Sequence, residues 1–400
     1  MTPSAFALLP PLPSPDEVRA WDRGAVDLGL AGDILMENAA RAAFDVLRAS
    51  APRLAGMKVW LLMGGGNNGG DAACLARHLL DAGADPLVLH THPLRSYKGE
   101  CGRHMRVARA AGVPFRPLRQ GRRSGPAAAG LPSASPPLRL PEGRPHIMVD
   151  GLLGTGFHGP LRPDMLALIR AVNALQAAFV LALDIPSGLD PMTGRWVGGV
   201  KGCMADITLA MLAPKAGCFM CEGADAAGVV EVNELGVSVP LSTIGLVEPD
   251  DFRHVLEERS RNSHKGNYGH VAVVGGETGT IGAAVLAARA AIVTGAGRVT
   301  VEFMSDKAPA FDTIYPELMV ADGEIDLTKT SCNVVGCGMG FSDKARKRLA
   351  DAIAAPVPLI LDADALRMIA DDMSLQDALL ARKAHTVITP HPGEAAAIIR

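Results

Sequence analysis

The chain has 400 residues, 48% of them hydrophobic and 20% charged, enough for two or three domains with sizeable cores. A formal net charge of -3 and only 4% aromatic residues offer neither the cationic excess nor the stacking platforms of a nucleic-acid binder, so nucleic acid is excluded as a main partner. Seven cysteines, an odd number scattered along the chain, suit reduced thiols, and no stretch is long enough to span a bilayer; a cytoplasmic protein without a membrane partner is expected.

The start, MTPSAFALLPPLPSPDEV, carries no Lys or Arg and its apolar run is cut by prolines, unlike a secretory signal. Ser14-Pro15-Asp16-Glu17 reads as a capped helix start, and AGDILMENAARAAFDVLRAS as a second helix. From there the chain repeats an apolar strand, a polar or Gly-rich loop and an Ala/Leu-rich helix. The strands are KVWLLMG, PLVLHTH, HIMVD, FVLALD and ITLAML, with VVEVNELG as a late addition. Buried runs alternating with helices predict a doubly wound, three-layer α/β domain over 1–235, whose ligands bind outside the carboxyl ends of its strands. Within it, 116–144 is dense in Pro, Gly, Ser and Arg and reads as a disordered or surface insertion.

Residues 236–260 read as a linker. Beyond it, HVAVVGG, RVTVEFM, CNVVGCG, PLILDAD and HTVITPH predict a second α/β domain over 261–400. Cys218 and Cys221 form a C-x-x-C with no second pair to complete a zinc site, and read as structural or incidental.

The chemistry gathers at the strand ends of the first domain: Asn67, Asn68 and Asp71 in GGGNNGGD, Asp150 with Gly154 and Gly156, Asp184 with Ser187, and Lys215. A parallel sheet brings all of these to one edge. Gly154, Thr155 and Gly156 leave backbone N–H groups able to approach an anion. No Gly-Lys-Ser/Thr occurs, which excludes a Walker loop, and neither Gly-rich loop fits G-x-G-x-x-G. Asn68, Asp150 and Ser187 offer hard oxygens with one formal charge, suited to a weakly demanding cation; equally, they could hydrogen-bond loops together.

In order, MENAARA, GGGNNGGDA, VDGLLGTGFHG, DIPSGLDPMTG and APKAG resemble the epimerase domain of bifunctional NAD(P)H-hydrate repair enzymes. SHKGNYGHVAVVGGETGTIGAA, GCGMG, LDADAL and TPHPGE resemble their ribokinase-like, ADP- or ATP-dependent dehydratase domain. The resemblance implies a Rossmann-like first domain that interconverts R and S hydrates of NADH or NADPH, and a second that restores the reduced cofactor from the S form with ADP or ATP and Mg2+. It implies that the hydrate is held by Asn67, Asn68, Gly69, Gly70 and Asp71, by Gly154, Thr155, Gly156, Phe157, His158, Gly159 and Pro160, and by Asp184. It further implies K+ at Asn68, Asp150 and Ser187, and Ala283, Gly338 and His391 at the hydrate site of the dehydratase. Asp184 is the expected acid/base, with Lys215 as an electrostatic or positioning partner.

Two features depart from the family pattern. Position 72 is Ala where the epimerase motif commonly has Gly, and no G-T-G-D anion hole follows His391. The ribokinase-like domain is therefore expected to be incomplete, its C-terminal part missing, with epimerisation but no dehydration from these 400 residues. A homo-oligomer is expected. A small-molecule kinase and a non-catalytic binding scaffold are the alternative functions.

Overall fold

Ser14 caps the first helix as its sequence context suggests: in the computed structural model its hydroxyl accepts from the Glu17 N–H, and the Glu17 carboxylate accepts from the Ser14 N–H at 2.7 Å. The structure describes residues 10–51, 53–118, 138–157, 159–175, 177–240, 242, 244–255 and 258–399. It divides into two units, Met1–Leu256 and Glu257–Arg400.

The first unit runs α1 (Pro15–Asp27), α2 (Gly32–Ser50), β1 (Lys58–Met63), α3 (Asn67–Asp81), β2 (Asp85–His90), α4 (Gly99–Ala110), β3 (Phe115–Pro117), β4 (Ile147–Gly151), α5 (Pro163–Ala174), β5 (Phe179–Leu183), β6 (Ile207–Met211), α6 (Gly223–Ala226) and β7 (Val229–Asn233). Its seven strands are all parallel, in the order β3-β2-β1-β4-β5-β6-β7. Alternation along β1 builds the three layers: Val59, Leu61 and Met63 join the core under α2 and α3, while Trp60 and Leu62 join the core that holds Leu168 and Ile169 of α5. Each large side chain so buried contributes roughly 1.5–3 kcal/mol. The chain winds one way from β1 to β3 and the other way from β4 to β7. The crevice of such a sheet opens where that order reverses, between β1 and β4.

The stretch 116–144, expected to be a disordered or surface insertion, is ordered at both ends. Arg116 and Pro117 belong to β3, too short a strand to show periodicity, and Leu118 and Leu138 are buried in the α5-side core. The Arg139 N–H donates to Leu118 O at 2.8 Å. Two leucines in a polar stretch suffice to anchor its ends; 119–137 lie outside the described residues. Part of the expected linker likewise packs on the first unit, where Leu246 N donates to Pro10 O and Leu12 N to Ile244 O, both at 2.8 Å.

The second unit comprises β8 (His270–Gly275), α7 (Ile281–Val293), β9 (Arg298–Phe303), β10 (Met319–Val320), β11 (Cys332–Val335), α8 (Asp343–Ala354), β12 (Leu359–Leu361), α9 (Asp364–Ala370), α10 (Met373–Ala381), β13 (Thr386–Ile388) and α11 (Pro392–Ile398). Its strands are parallel in the order β10-β9-β8-β11-β12-β13, with the β8–β11 reversal again at the centre. The two-residue β10 has no sequence signature and was not expected. No helix among the described residues is long and apolar enough to cross a membrane.

Candidate active site

A cavity of about 810 Å3 opens over the β1/β4 crevice. One wall is α1 and the start of α2, with Val18, Asp22, Leu35 and Met36; the other is the set of strand-end loops, with Gly66, Asn68, Gly154, Thr155, Phe157 and Asp184. The size and the mixed lining suit one sizeable polar ligand.

Glycine lets the two central loops meet. A Cβ on Gly64 would lie 1.8 Å from Leu152 O, and one on Gly69 would lie 2.2 Å from Gly64 O, so neither position can carry a side chain while the loops stay in place. Gly154 makes room for the Asn68 carboxamide, 3.1 Å from where its Cβ would be. Gly66 and Gly156 have open space there instead and line the cavity. Part of the anion reading changes accordingly: the Thr155 N–H is directed at Asp184 Oδ2, 3.4 Å away, rather than left free.

Asp184 ends β5 with φ of +67°, a left-handed conformation uncommon for a residue with a Cβ and held here by its surroundings. Its carboxylate is ion-paired with Lys215 Nζ, whose side chain is 1% exposed. Thr155 Oγ1 donates to Asp184 Oδ2 at 3.1 Å, and the Met211 N–H donates to Oδ1 at 3.4 Å. Lys215 Nζ also donates to Met211 O at 2.6 Å. The pair thus presents a fixed carboxylate at the cavity wall with its counter-charge behind it.

Asp150 lies deeper and is fully buried. Its Oδ1 accepts from Ser187 Oγ at 2.7 Å and its Oδ2 from the Ser187 N–H at 2.8 Å, while the Leu152 N–H adds a third bond. Burial pushes the Asp150 carboxyl above its usual range, against the lowering effect of these donors. Among the described residues Asp150 has no ion-pair partner. Asn68 Nδ2 donates to Leu153 O at 2.9 Å and to Leu183 O at 2.7 Å, tying the β1, β4 and β5 loops together. Asn68, Asp150 and Ser187 therefore converge, and the contacts they make are hydrogen bonds among loops.

Of the other expected residues, Asn67, Asp71 and Phe157 line the cavity. Gly69 and Gly70 are buried in the first turn of α3, where a Cβ on Gly70 would strike Met36 and Cys101. Pro160 lines an adjoining cavity of about 390 Å3, and Gly159 takes a φ of +89° beside it. His158 lies outside the described residues. In the second unit, Thr280 Oγ1 donates to Gly338 O at 3.0 Å and the Ala283 N–H to Thr280 O at 3.0 Å, which brings Ala283 and Gly338 together. His391 is at the end of β13, two strands beyond β11, where its Nδ1 accepts from the Gly393 N–H at 3.0 Å as the cap of α11.

Asp22 was not foreseen. The signal was present: Asp22 follows Val18 by four residues and precedes Ala25 by three, so a carboxylate occupies the stripe that α1 buries. Burial raises its carboxyl above the usual range, and the negative charge of Asp184 adds to that against the opposing effect of Lys215. Asp71 is raised further, by burial first and then by Asp184 and Asp22. The C-x-x-C is not a redox pair in form, since burial pushes the Cys218 thiol up to about 12 and all seven cysteines are free.

Comparison with known proteins agrees with this division into units. Residues 32–217 match a family described as YjeF-related protein N-terminus, and residues 271–400 a family described as NAD(P)H-hydrate dehydratase. The chain is 32% identical to the bifunctional NAD(P)H-hydrate repair enzyme Nnr of Coxiella burnetii, over 96% of this chain and 74% of that one. It is 34% identical to the enzyme of the same name from Thermanaerovibrio acidaminovorans, over 96% and 75%, and 32% identical to that of Escherichia coli, over 96% and 70%. A solved ADP/ATP-dependent NAD(P)H-hydrate dehydratase from Bacillus subtilis, co-crystallized with ATP/Mg2+, is 26% identical, covering 37% of this chain and 53% of that one, with a TM-score of 0.31.

Proposed function

The chain belongs to the family of bifunctional NAD(P)H-hydrate repair enzymes, and from that premise we propose that its first unit interconverts the R and S hydrates with Asp184 as the proton-shuttling carboxylate. The observation that carries this reading is the Asp184–Lys215 ion pair at the wall of the 810 Å3 cavity. The hydrate bears a hydroxyl on the carbon beside a ring nitrogen. Proton donation to that hydroxyl lets the nitrogen lone pair expel water, which flattens the centre; readdition of water from the other face inverts it. An acid/base group so placed contributes roughly 10²–10⁴-fold.

Asn67, Asn68, Asp71 and the loop from Gly154 to Pro160 hold the hydrate in this reading, with the start of α3 and the open Gly66 turned toward its phosphates. K+ is the cation proposed at Asn68, Asp150 and Ser187. In support, Asp150 is a fully buried carboxylate without an ion-pair partner among the described residues, and the Ser187 hydroxyl beside it adds a hard oxygen, with the Cys203 thiol as a further neighbour. Rotating the Asn68 carboxamide would exchange its amide donor for an oxygen. K+ there would offset the Asp150 charge and fix the two central loops.

For the second unit the same reading assigns, in the full-length protein, the use of ADP or ATP with Mg2+ to convert the leaving hydroxyl into a phosphate ester, a far better leaving group, with Ala283, Gly338 and His391 at the hydrate. Catalysis of that kind rests on positioning and charge stabilisation. A cytoplasmic homo-oligomer completes the proposal, supported by seven free thiols and by exposed Val26, Leu28 and Ile34 around the α1–α2 turn.

The test is to incubate the protein with separated R and S hydrates of NADH and follow their ratio by chromatography, with and without K+. Both preparations should reach one common ratio faster than without protein, and Asp184→Asn should abolish that acceleration while hydrate binding survives. Equal rates for Asp184→Asn and the parent would remove Asp184 from the mechanism.

A further inference from the structure

We propose that Asp22 is a second catalytic carboxyl group of the epimerisation, the donor that protonates the departing hydroxyl, while Asp184 accepts the proton of the incoming water. The inference rests on the function proposed above and divides its proton chemistry between two walls of one cavity.

Ion-paired with Lys215 and accepting from Thr155 and Met211, Asp184 faces the cavity as an acceptor. A donor is still required, because hydroxide does not leave a carbon unaided. Asp22 projects from α1, the opposite wall, onto the same cavity. Its half-buried position and the neighbouring Asp184 charge both favour its protonated form. Lys215, the cation whose charge opposes this, is ion-paired with Asp184. Two carboxyl groups in unlike surroundings across one cavity, Asp184 against a lysine and Asp22 against none, are a recurring acid and base arrangement.

The remaining charged groups facing this space are Arg19, Arg23 and Asp27 on α1, Asp71 on α3 and Glu100 on α4. Asp27 is exposed at the end of α1 and Glu100 is engaged by Arg103 at 2.9 Å. Arg19 and Arg23 have no proton to give near neutrality. Asp71 is also driven toward its protonated form, partly by Asp22, but it sits in the second turn of α3 and is more deeply buried than Asp22.

The steps balance. The Asp22 carboxyl gives its proton to the hydroxyl as the C–O bond breaks, water departs, and the ring nitrogen lone pair forms the C=N bond of an iminium. A water then forms a C–O bond on the other face and loses its proton to the Asp184 carboxylate. Transfer of that proton from Asp184 to Asp22 resets the site, and the reverse reaction exchanges the two roles. No oxidant or co-reactant is consumed.

Asp22→Asn and Asp22→Glu, assayed beside the parent with NADH hydrate, test this. Asp22→Asn should lower kcat about 100-fold with KM changed no more than about threefold, and should erase the limb of the parent pH profile on which activity falls as the donor loses its proton. Asp22→Glu, which keeps an acid, should retain that limb. The thermal midpoint of Asp22→Asn should be unchanged or raised, because holding a half-buried carboxyl protonated near neutrality costs the fold stability that an amide does not, whereas a residue of purely structural value would lower it. An active parent with an Asp22→Asn variant within about threefold of it and an intact pH limb would overturn the role of Asp22 alone. A parent that leaves the two hydrates unequilibrated would instead overturn the function on which it rests.

Discussion

Lys215 and Asp184 form an ion pair at the cavity wall, with the lysine side chain 1% exposed and the aspartate 12%. The two residues are 31 positions apart and come from the ends of β5 and β6, neighbouring parallel strands. Parallel order is what places both at one edge.

Lys215→Met is expected to leave Asp184 buried without its counter-charge. Breaking a buried pair from one side costs about 3–5 kcal/mol, and the first unit should lose stability of that order together with its epimerase activity. Urea unfolding followed by tryptophan fluorescence, with Trp60 in the first-unit core, measures it. A parental midpoint would show that the pair contributes nothing to the fold.

Gly69→Ala tests whether the glycines of the central loop serve backbone packing. The new Cβ would sit 2.2 Å from Gly64 O, so the β1 loop must move. We expect roughly 1–3 kcal/mol of destabilisation and loss of hydrate binding. Gly66→Ala, with open space around its Cβ, should leave stability within about 0.5 kcal/mol and affect ligand binding alone. Equal melting temperatures for the two variants would contradict this.

Glu37 supplies a pH-dependent clamp between α2 and α3. It accepts from Arg77 Nη2 at 2.6 Å, lies 2.8 Å from His78 Nε2 and takes the Cys74 thiol at 3.2 Å. Burial by itself would raise the Glu37 carboxyl, but Cys74, Arg77 and His78 outweigh it and hold the group at about 2 instead of 4.5. A depressed carboxyl stabilises the fold above the unfolded value and ceases to do so as pH falls toward the folded one. The contribution, on the order of 2 kcal/mol after allowing for solvent screening, should therefore be full above about pH 4.5 and fade toward pH 2. Thermal unfolding of the parent and Glu37→Gln across this range should show a gap that closes on acidification; a gap independent of pH would refute the clamp.

Much of the site was legible because motif chemistry is local. Asn67, Asn68, Asp71, Asp150, Asp184, Ser187 and Lys215 all stand where an apolar run ends, and the doubly wound pattern sends every such end to one edge. The legible signal weakened where structure depends on few residues. The short β3 and β10 have too little length to show alternation, and Leu118 and Leu138 anchor a polar stretch by two side chains. In the second unit, Ala283 and Gly338 meet through Thr280, but His391 acts as the cap of α11 two strands away, a separation that the order of motifs along the chain does not convey.

By itself the sequence determined two parallel α/β units, their strand ends, and the residue types that gather there, since hydrophobic period and turn chemistry are properties of short stretches. Tertiary structure alone decided which glycines border open cavity and which face another backbone, because that depends on how closely the β1 and β4 loops approach. It also decided that Asp184 is paired while Asp22 has no ion-pair partner among the described residues, although both are aspartates beside apolar residues. Charge state follows from burial and neighbours in space, and α1 meets the β5 and β6 ends only once the chain has folded.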